Sequence, residues 1–247
     1  MLAGLGGAAQ TLLPDIVSLE LAHEARARGR PWLTDAATSY CPRCGATMAP
    51  AAITDAGCPW CHDQPVPWQR LVRLGPYAPP LDRWLLAMKY AGQWRWALWF
   101  GERLANDVPA PADPDVEPVV CPVPMSPMRR WRRGYNQARL MAEALAQRRG
   151  WPMVQLLRRR GGRPPQASLE GRQRYRNLAG IMRLGPVDLA GIHVVLVDDI
   201  KTTGTTLRAC GELLEHAGAA GLTVAVAAVA DPTRAVRPQA VPAAAGK

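Results

Sequence analysis

In VVLVDDIKTTGTTL, residues 194–207, an apolar run ends on two adjacent aspartates, and four threonines then surround one glycine. Placed on a central parallel strand, Val194 to Val197 put Asp198 and Asp199 at the carboxyl end, where open α/β sheets bind ligands. Two carboxylates buried there without partners would be costly. A sugar with vicinal hydroxyls satisfies both, and a metal can assist. The turn Thr202, Thr203, Gly204, Thr205, Thr206 then leads into a helix. Its backbone N–H groups, hydroxyls and helix N-terminus form a cradle for phosphate, and Gly204 lets the backbone approach closely. Together the stretch calls for a ribose 5-phosphate. A threonine-rich helix cap after an acidic strand end is the plainer alternative. The loop is not of the Walker type, because G-x4-G-K is absent.

A second constellation is built on sulfur. CPRCG at 41–45 and CPWCH at 58–62 give C-x2-C, thirteen residues, C-x2-C. Each pair brings two thiolates to one ion from a tight turn. Cys41, Cys44, Cys58 and Cys61 together make a tetrahedral site suited to Zn2+. Two redox pairs, or decayed ligands, are the alternatives. His62 could replace one thiolate, although a bystander role is simpler. A closed four-sulfur site is structural rather than catalytic. Cys121 and Cys210 stand alone in apolar surroundings and read as core.

These motifs need elements to hold them. The 247 residues suffice for one moderate domain and a small one. Residues 1–30 suggest a loosely amphipathic helix or a frayed leader. Residues 31–70 are turn-rich and hold four of the six cysteines. Residues 80–107 are helical in pattern, with Leu85, Met88, Trp94, Leu98, Gly101, Leu104 and Ala105 along one face and a break at Gly92. A proline-rich connection, 108–118, precedes the strand VVCPVP. A helix follows from Tyr135 to Arg149, with Asn136 as its N-cap and Leu140, Ala144 and Leu145 inward. Residues 158–174 predict a mobile loop. A strand at 191–198, a helix at 204–217, a Val/Ala strand at 222–230 and a disordered tail complete the chain. Strands alternating with helices, with the later strands continuously apolar, imply a parallel sheet covered on both faces.

The net charge of +10 is unevenly placed. Residues 128–176 carry fourteen arginines against Glu143 and Glu170. Such a block is either a solvated face or a site for an anionic partner: a phosphate metabolite, nucleic acid or lipid. No stretch is long and apolar enough to span a membrane. The N-terminal residues lack the basic region of a signal peptide, so a cytoplasmic location is expected.

VVLVDDIKTTGTTL resembles the phosphoribosyl pyrophosphate (PRPP) motif of type I phosphoribosyltransferases. In addition, PVPMSPMRRWRRGYNQARLMAEALA at 122–146 resembles the P-V-P…R…R-G-F-N-Q…L-A signature of the ComF family, competence-associated bacterial proteins of that fold. KYAG at 89–92 resembles their K-Y-x-G box, and Arg163 to Asn177, with Gln166, Leu169 and Arg172, their R…Q…L…R…N segment. The double C-x2-C is similar to their zinc ribbon. The resemblance runs over about residues 38–231; Tyr135 stands for the usual Phe, and Trp131 interrupts the arginines.

The resemblance implies an α/β fold: a type I phosphoribosyltransferase-like parallel sheet flanked by helices, preceded by a small zinc-ribbon module. The expected boundaries are an N-terminal extension at 1–37, the zinc ribbon at 38–70, the phosphoribosyltransferase-like domain at 71–231 and the tail at 232–247. It assigns the ribose hydroxyls, and the catalytic role, to Asp198 and Asp199. The 5′-phosphate falls to Thr202, Thr203, Gly204, Thr205 and Thr206. Arg129 and Arg133 are candidates for the pyrophosphate and Lys89 for an anionic group of the ligand, with Mg2+ accompanying PRPP. The loop around 158–176 would close over the ligand. Purine-salvage relatives carry a carboxylate where Thr202 stands, so a hypoxanthine- or guanine-type enzyme is not expected. The acceptor stays open. So do a non-catalytic PRPP or nucleotide sensor and a DNA-uptake accessory factor that binds single-stranded DNA through the basic block, with Trp131, Tyr135 and Tyr175 for base stacking. DNA-uptake proteins and a second copy in a homodimer are the expected protein partners.

Overall fold

The computed structural model describes residues 14–54, 57–62, 64–160 and 181–230. Helix α1 (Pro14–Arg28) leads, and the cysteine-bearing segment follows. The remainder alternates: β1 (Arg70–Pro76), α2 (Leu81–Tyr90), α3 (Arg95–Asp107), β2 (Glu117–Pro122), α4 (Pro127–Arg133), α5 (Gln137–Arg149), β3 (Leu157–Arg159), β4 (Met182–Leu184), β5 (Ile192–Lys201), α6 (Thr205–His216) and β6 (Gly221–Val229).

Among the described residues the main sheet is parallel, in the order β1-β6-β5-β2. Its continuous apolar strands have a simple cause. On β5, Val195 and Val197 join the core beneath α3 and α5, while Val194 and Leu196 join the core beneath α6. On β6, Ala225 and Ala227 face the first core, and Leu222, Val224 and Val226 the second. Both faces are covered, so a strict apolar–polar alternation would bury polar groups. The carboxyl ends of β2, β5 and β6 all point to one edge, which is where the site lies.

The break expected at Gly92 is present: its φ is +67° and it separates α2 from α3. The predicted face needs correction beyond that break. Leu85, Met88, Gly101, Leu104 and Ala105 are buried, but Trp94 is exposed and Leu98 is half-buried. Trp96, Ala97 and Phe100 take the inward positions instead. Four residues of non-helical chain reset the helical phase, so a single periodicity drawn through 80–107 fails after the break. On α5, Asn136 is the N-cap, its Oδ1 accepting from the Ala138 N–H; Ala144 and Leu145 are buried and Leu140 is half-buried.

Helix α4 was not expected. Its N-cap is Ser126, whose Oγ accepts from the Arg129 N–H; Pro127 follows at the first helical position, and Gly134 ends it at φ +79°. Arg158 and Arg159, expected in a loop, instead lie on β3, which pairs antiparallel with β4. The rest of that basic segment, 161–180, and the tail from 231 lie outside the described residues, as do the sequence expectations placed on them. No helix among the described residues is long and apolar enough to cross a membrane.

Candidate functional site

The parallel pairing of β5 with β2 and β6 carries the chain to Asp198 at the sheet edge. There a cavity of about 260 Å³ opens between the end of β5, the segment after β2, α4, the start of α5, and β3. Of the residues predicted from sequence, the cavity gathers Asp198, Asp199, Thr202, Thr206, Lys89, Arg129 and Arg133. Thr203 and Gly204 face a different cavity, one bordered by the cysteine module, and Thr205 lines neither.

The acidic end is electrostatically tuned. Lys89, on the last turn of α2, places Nζ 3.0 Å from Asp199 Oδ2, with both side chains 15% exposed. The Asp199 N–H donates to Asp198 Oδ1 at 2.9 Å. Burial first, and the Asp199 charge second, push the Asp198 carboxyl up to about 7; the Asp199 N–H, Lys89 and Arg129 act in the opposite direction. Of the two neighbouring carboxylates, Asp199 is paired with a lysine and Asp198 is poised near neutrality.

The rest of the lining is rich in donors. Arg129 and Arg133 reach it from α4, and Arg159 from β3. Burial lowers the Arg159 pKa, helped by Arg129. Gln137 sits at the first position of α5 and is fully buried. Its Oε1 accepts from Arg133 Nη1 at 3.3 Å, while its Nε2 has no partner among the described residues. A buried, unpaired amide donor beside three guanidinium groups at a helix N-terminus is the arrangement an anion would complete. Sequence reasoning missed Gln137 and Arg159. Gln137 was visible inside the R-G-Y-N-Q string, yet nothing in the string separates a ligand donor from a helix-start residue. Arg159 was one arginine among many.

The turn after β5 has the form the sequence implied. Gly204 caps α6 with φ +75°, and a side chain there would crowd Lys201 Cε, 3.1 Å away. Thr203 and Thr205 share a hydrogen bond between hydroxyls at 2.7 Å. Thr202 and Thr203 are exposed. Tyr135 packs at the foot of α5, as expected of a helix-start residue, and its hydroxyl donates to the Met88 carbonyl.

The four cysteines form a group of their own. The Sγ atoms of Cys41, Cys44, Cys58 and Cys61 all lie within 4.8 Å of one another. Individual separations are 3.7 Å for Cys41–Cys61, 3.6 Å for Cys44–Cys58 and 3.8 Å for Cys58–Cys61. A tetrahedron with metal–sulfur bonds of about 2.3 Å has edges of about 3.8 Å. The cluster could therefore hold a metal such as zinc. His62 is exposed and outside this group. Gly45, at φ +77°, turns the first pair, and the Gly45 N–H donates to the Cys41 carbonyl. A Cβ on Gly45 would lie 2.7 Å from Val229, so the module is pressed onto the end of β6. Arg73 of β1, completely buried, fastens it with hydrogen bonds to the Gly45 carbonyl, Thr47 and Asp35. Cys121 and Cys210 are buried core residues; burial raises both thiols, Cys121 to about 11.

Comparison with known proteins matches residues 136–243 to the phosphoribosyl transferase domain. The DNA utilization protein YhgH of Salmonella typhimurium is 35% identical over 191 residues, covering 75% of this chain and 82% of that one. Competence protein F of Haemophilus influenzae is 29% identical over 189 residues, covering 72% and 80%. Among solved structures, a purine phosphoribosyltransferase from Pyrococcus horikoshii aligns with 17% identity and a TM-score of 0.34, covering 64% of this chain and 78% of that one.

Proposed function

The chain belongs to the ComF family of competence-associated, phosphoribosyltransferase-like proteins, and we propose that it binds PRPP in the β5-edge cavity and transfers the phosphoribosyl group. The observation that carries this reading is one cavity that brings a carboxylate pair together with Arg129, Arg133 and Arg159. The ribose 2′ and 3′ hydroxyls donate to Asp198 and Asp199. Within this cavity the 5′-phosphate takes Thr202 and Thr206 at the start of α6. The pyrophosphate meets Arg129, Arg133 and Arg159.

No covalent protein nucleophile is needed. Breaking the C1–O bond leaves positive charge on the ribose and negative charge on the departing pyrophosphate. The guanidinium groups stabilise the second, and the fixed sugar presents C1 in one orientation. Lys89 pairs with Asp199 Oδ2 and orients that carboxylate as a hydroxyl acceptor. Mg2+, when bound with PRPP, adds charge neutralisation at the pyrophosphate. A zinc ion in the cysteine cluster is structural, tying the two C-x2-C turns together beside β6.

Calorimetric titration with PRPP, with and without Mg2+, tests the reading. Binding that disappears in the Asp198→Asn, Asp199→Asn double variant is expected. Unchanged affinity in that variant defeats the ribose assignment. Pyrophosphate release on adding an acceptor separates an enzyme from a PRPP sensor. Metal analysis should return one zinc per chain.

A second reading rests on α4. Trp131 is 85% exposed there, flanked by Arg129, Arg130, Arg132 and Arg133. An exposed indole among cations suits single-stranded nucleic acid, and the relatives' names concern DNA utilization and competence. DNA affinity that falls steeply with salt and is indifferent to PRPP would favour it.

A further inference from the structure

A second cavity, of about 490 Å³, lies against the same turn, and Thr202 lines both. One wall is the cysteine module and the segment leading to β1: Trp60, Val66 and Trp68. The other is Lys201, the Thr202–Gly204 turn and Arg208 of α6. We propose that this cavity is the acceptor site and that it takes a planar aromatic molecule bearing a negative charge. The acceptor role rests on the phosphoribosyl transfer proposed above; the binding preference does not.

Position gives the role. The three arginines that would hold the departing pyrophosphate reach the first cavity from α4 and β3. The second cavity lies across Thr202 from them, toward the end of β6 and the cysteine module, with Ala230 in its wall. A displacement at C1 brings its nucleophile in opposite the leaving group. The acceptor's N–H or O–H atom forms its bond to C1 as the C1–O bond breaks. The bonding pair leaves with pyrophosphate, and the acceptor's proton passes to solvent.

Chemistry gives the class. Trp60 is 48% exposed and offers a face for stacking. Trp68 is fixed, its Nε1 donating to the Arg43 carbonyl at 2.7 Å. The charge balance is less even. Lys201 lies near Cys44, Cys61 and Cys41, whose sulfurs offset it once they hold a metal. Arg208 also lies close to Lys201, and it makes no ion pair among the described residues. A ring that stacks on Trp60 and carries a carboxylate or phosphate toward Arg208 satisfies both walls.

The test uses one ring with and without a charge. Orotate and uracil are titrated into the full-length, zinc-loaded protein. Orotate should bind about fivefold or more tighter than uracil. Trp60→Leu should weaken both by about tenfold, and Trp60→Phe should restore most of the loss. Arg208→Met should erase the preference for orotate and leave uracil unchanged. Zinc content is measured in each Trp60 variant, so that loss of metal is separated from loss of stacking. PRPP affinity should be unchanged in all three. No ring binding in the wild type, or equal ring binding in Trp60→Leu, overturns the site. An orotate preference that survives Arg208→Met overturns the charge assignment. Ring binding at Trp60 in a protein that does not bind PRPP overturns the acceptor role and the proposed transfer, while the cavity's own preference stands.

Discussion

Replacing Asp198 with Asn should stabilise the protein at pH 8 while destroying its ligand site. In an unfolded chain an aspartate titrates near pH 3.9; in the fold, burial and the Asp199 charge hold Asp198 up at about 7. The folded state binds that proton more tightly. This group therefore favours the fold below about pH 4, and its contribution is lost as pH rises through about 7. The gap corresponds to about 4 kcal/mol at pH 8 as an upper bound. Asparagine carries no charge to desolvate, and its Oδ1 still accepts from the Asp199 N–H, the contact made at 2.9 Å by the carboxylate. For a chain of this size 1 kcal/mol moves Tm by about 2–4 °C, so the variant should melt up to about 8–16 °C higher at pH 8. At pH 5 the folded carboxyl keeps its proton while the unfolded aspartate has lost its own, which leaves about 1.5 kcal/mol, so the gain should shrink to about 3–6 °C and vanish only below about pH 4. Scanning calorimetry at both pH values reads the difference. An equal or lower Tm at pH 8, or the same gain at both, would refute the assignment of Asp198 as a buried, strained carboxyl.

Lys89→Met removes the cation 3.0 Å from Asp199. Stability should fall by about 3 kcal/mol at pH 8 and recover on acidification as the carboxylate pair takes up a proton. Lys89→Met combined with Asp199→Asn should regain most of the loss, and denaturant unfolding of the four proteins checks it. Zinc chelation should raise hydrogen exchange across residues 38–70 while β5 stays protected. Cooperative unfolding of the whole chain on chelation would contradict a separable module.

The α/β class and the two constellations were legible because each rests on short-range pattern. An apolar strand, an acidic pair and a Gly-containing turn are consecutive in sequence, and paired C-x2-C motifs converge on one ion whatever surrounds them. Helix α4 was less legible: its seven residues include four arginines and no buried side chain, so no hydrophobic periodicity marks it. Strand β1 was overlooked because its middle carries Arg73, which sequence reasoning places outside. The structure buries it completely, with Nη1 and Nη2 bonded to the Gly45 carbonyl, Thr47 and Asp35, Nε without a partner among the described residues, and the guanidinium 4.9 Å from the Tyr40 ring. Those partners are 26 to 38 residues away, and no local window contains them.

The acidic end, too, depends on residues far from its motif. The phosphoribosyl transferase domain match starts at residue 136, yet Lys89, which pairs with Asp199 at 3.0 Å, comes well before it. The position of Lys89 is set by α2, and α2 is held by the skewed aromatic content of the chain. Trp84 stacks on Trp96 with centroids 4.6 Å apart, and Trp32 meets Trp84 edge-on at 5.3 Å. Trp99 and Phe100 extend the cluster. The last carbonyls of a helix lack partners within it; here the Tyr135 hydroxyl takes the Met88 carbonyl, one residue before Lys89. Tyr135 stands where the family pattern has Phe, so this chain ties α2 to the foot of α5 with a bond that Phe cannot make. Gln137 begins α5 only two residues later. The lysine of the acidic end and the amide of the basic wall are thereby referenced to one another, and the spacing between the two ends of the cavity is a property of packing rather than of the motif that announces it.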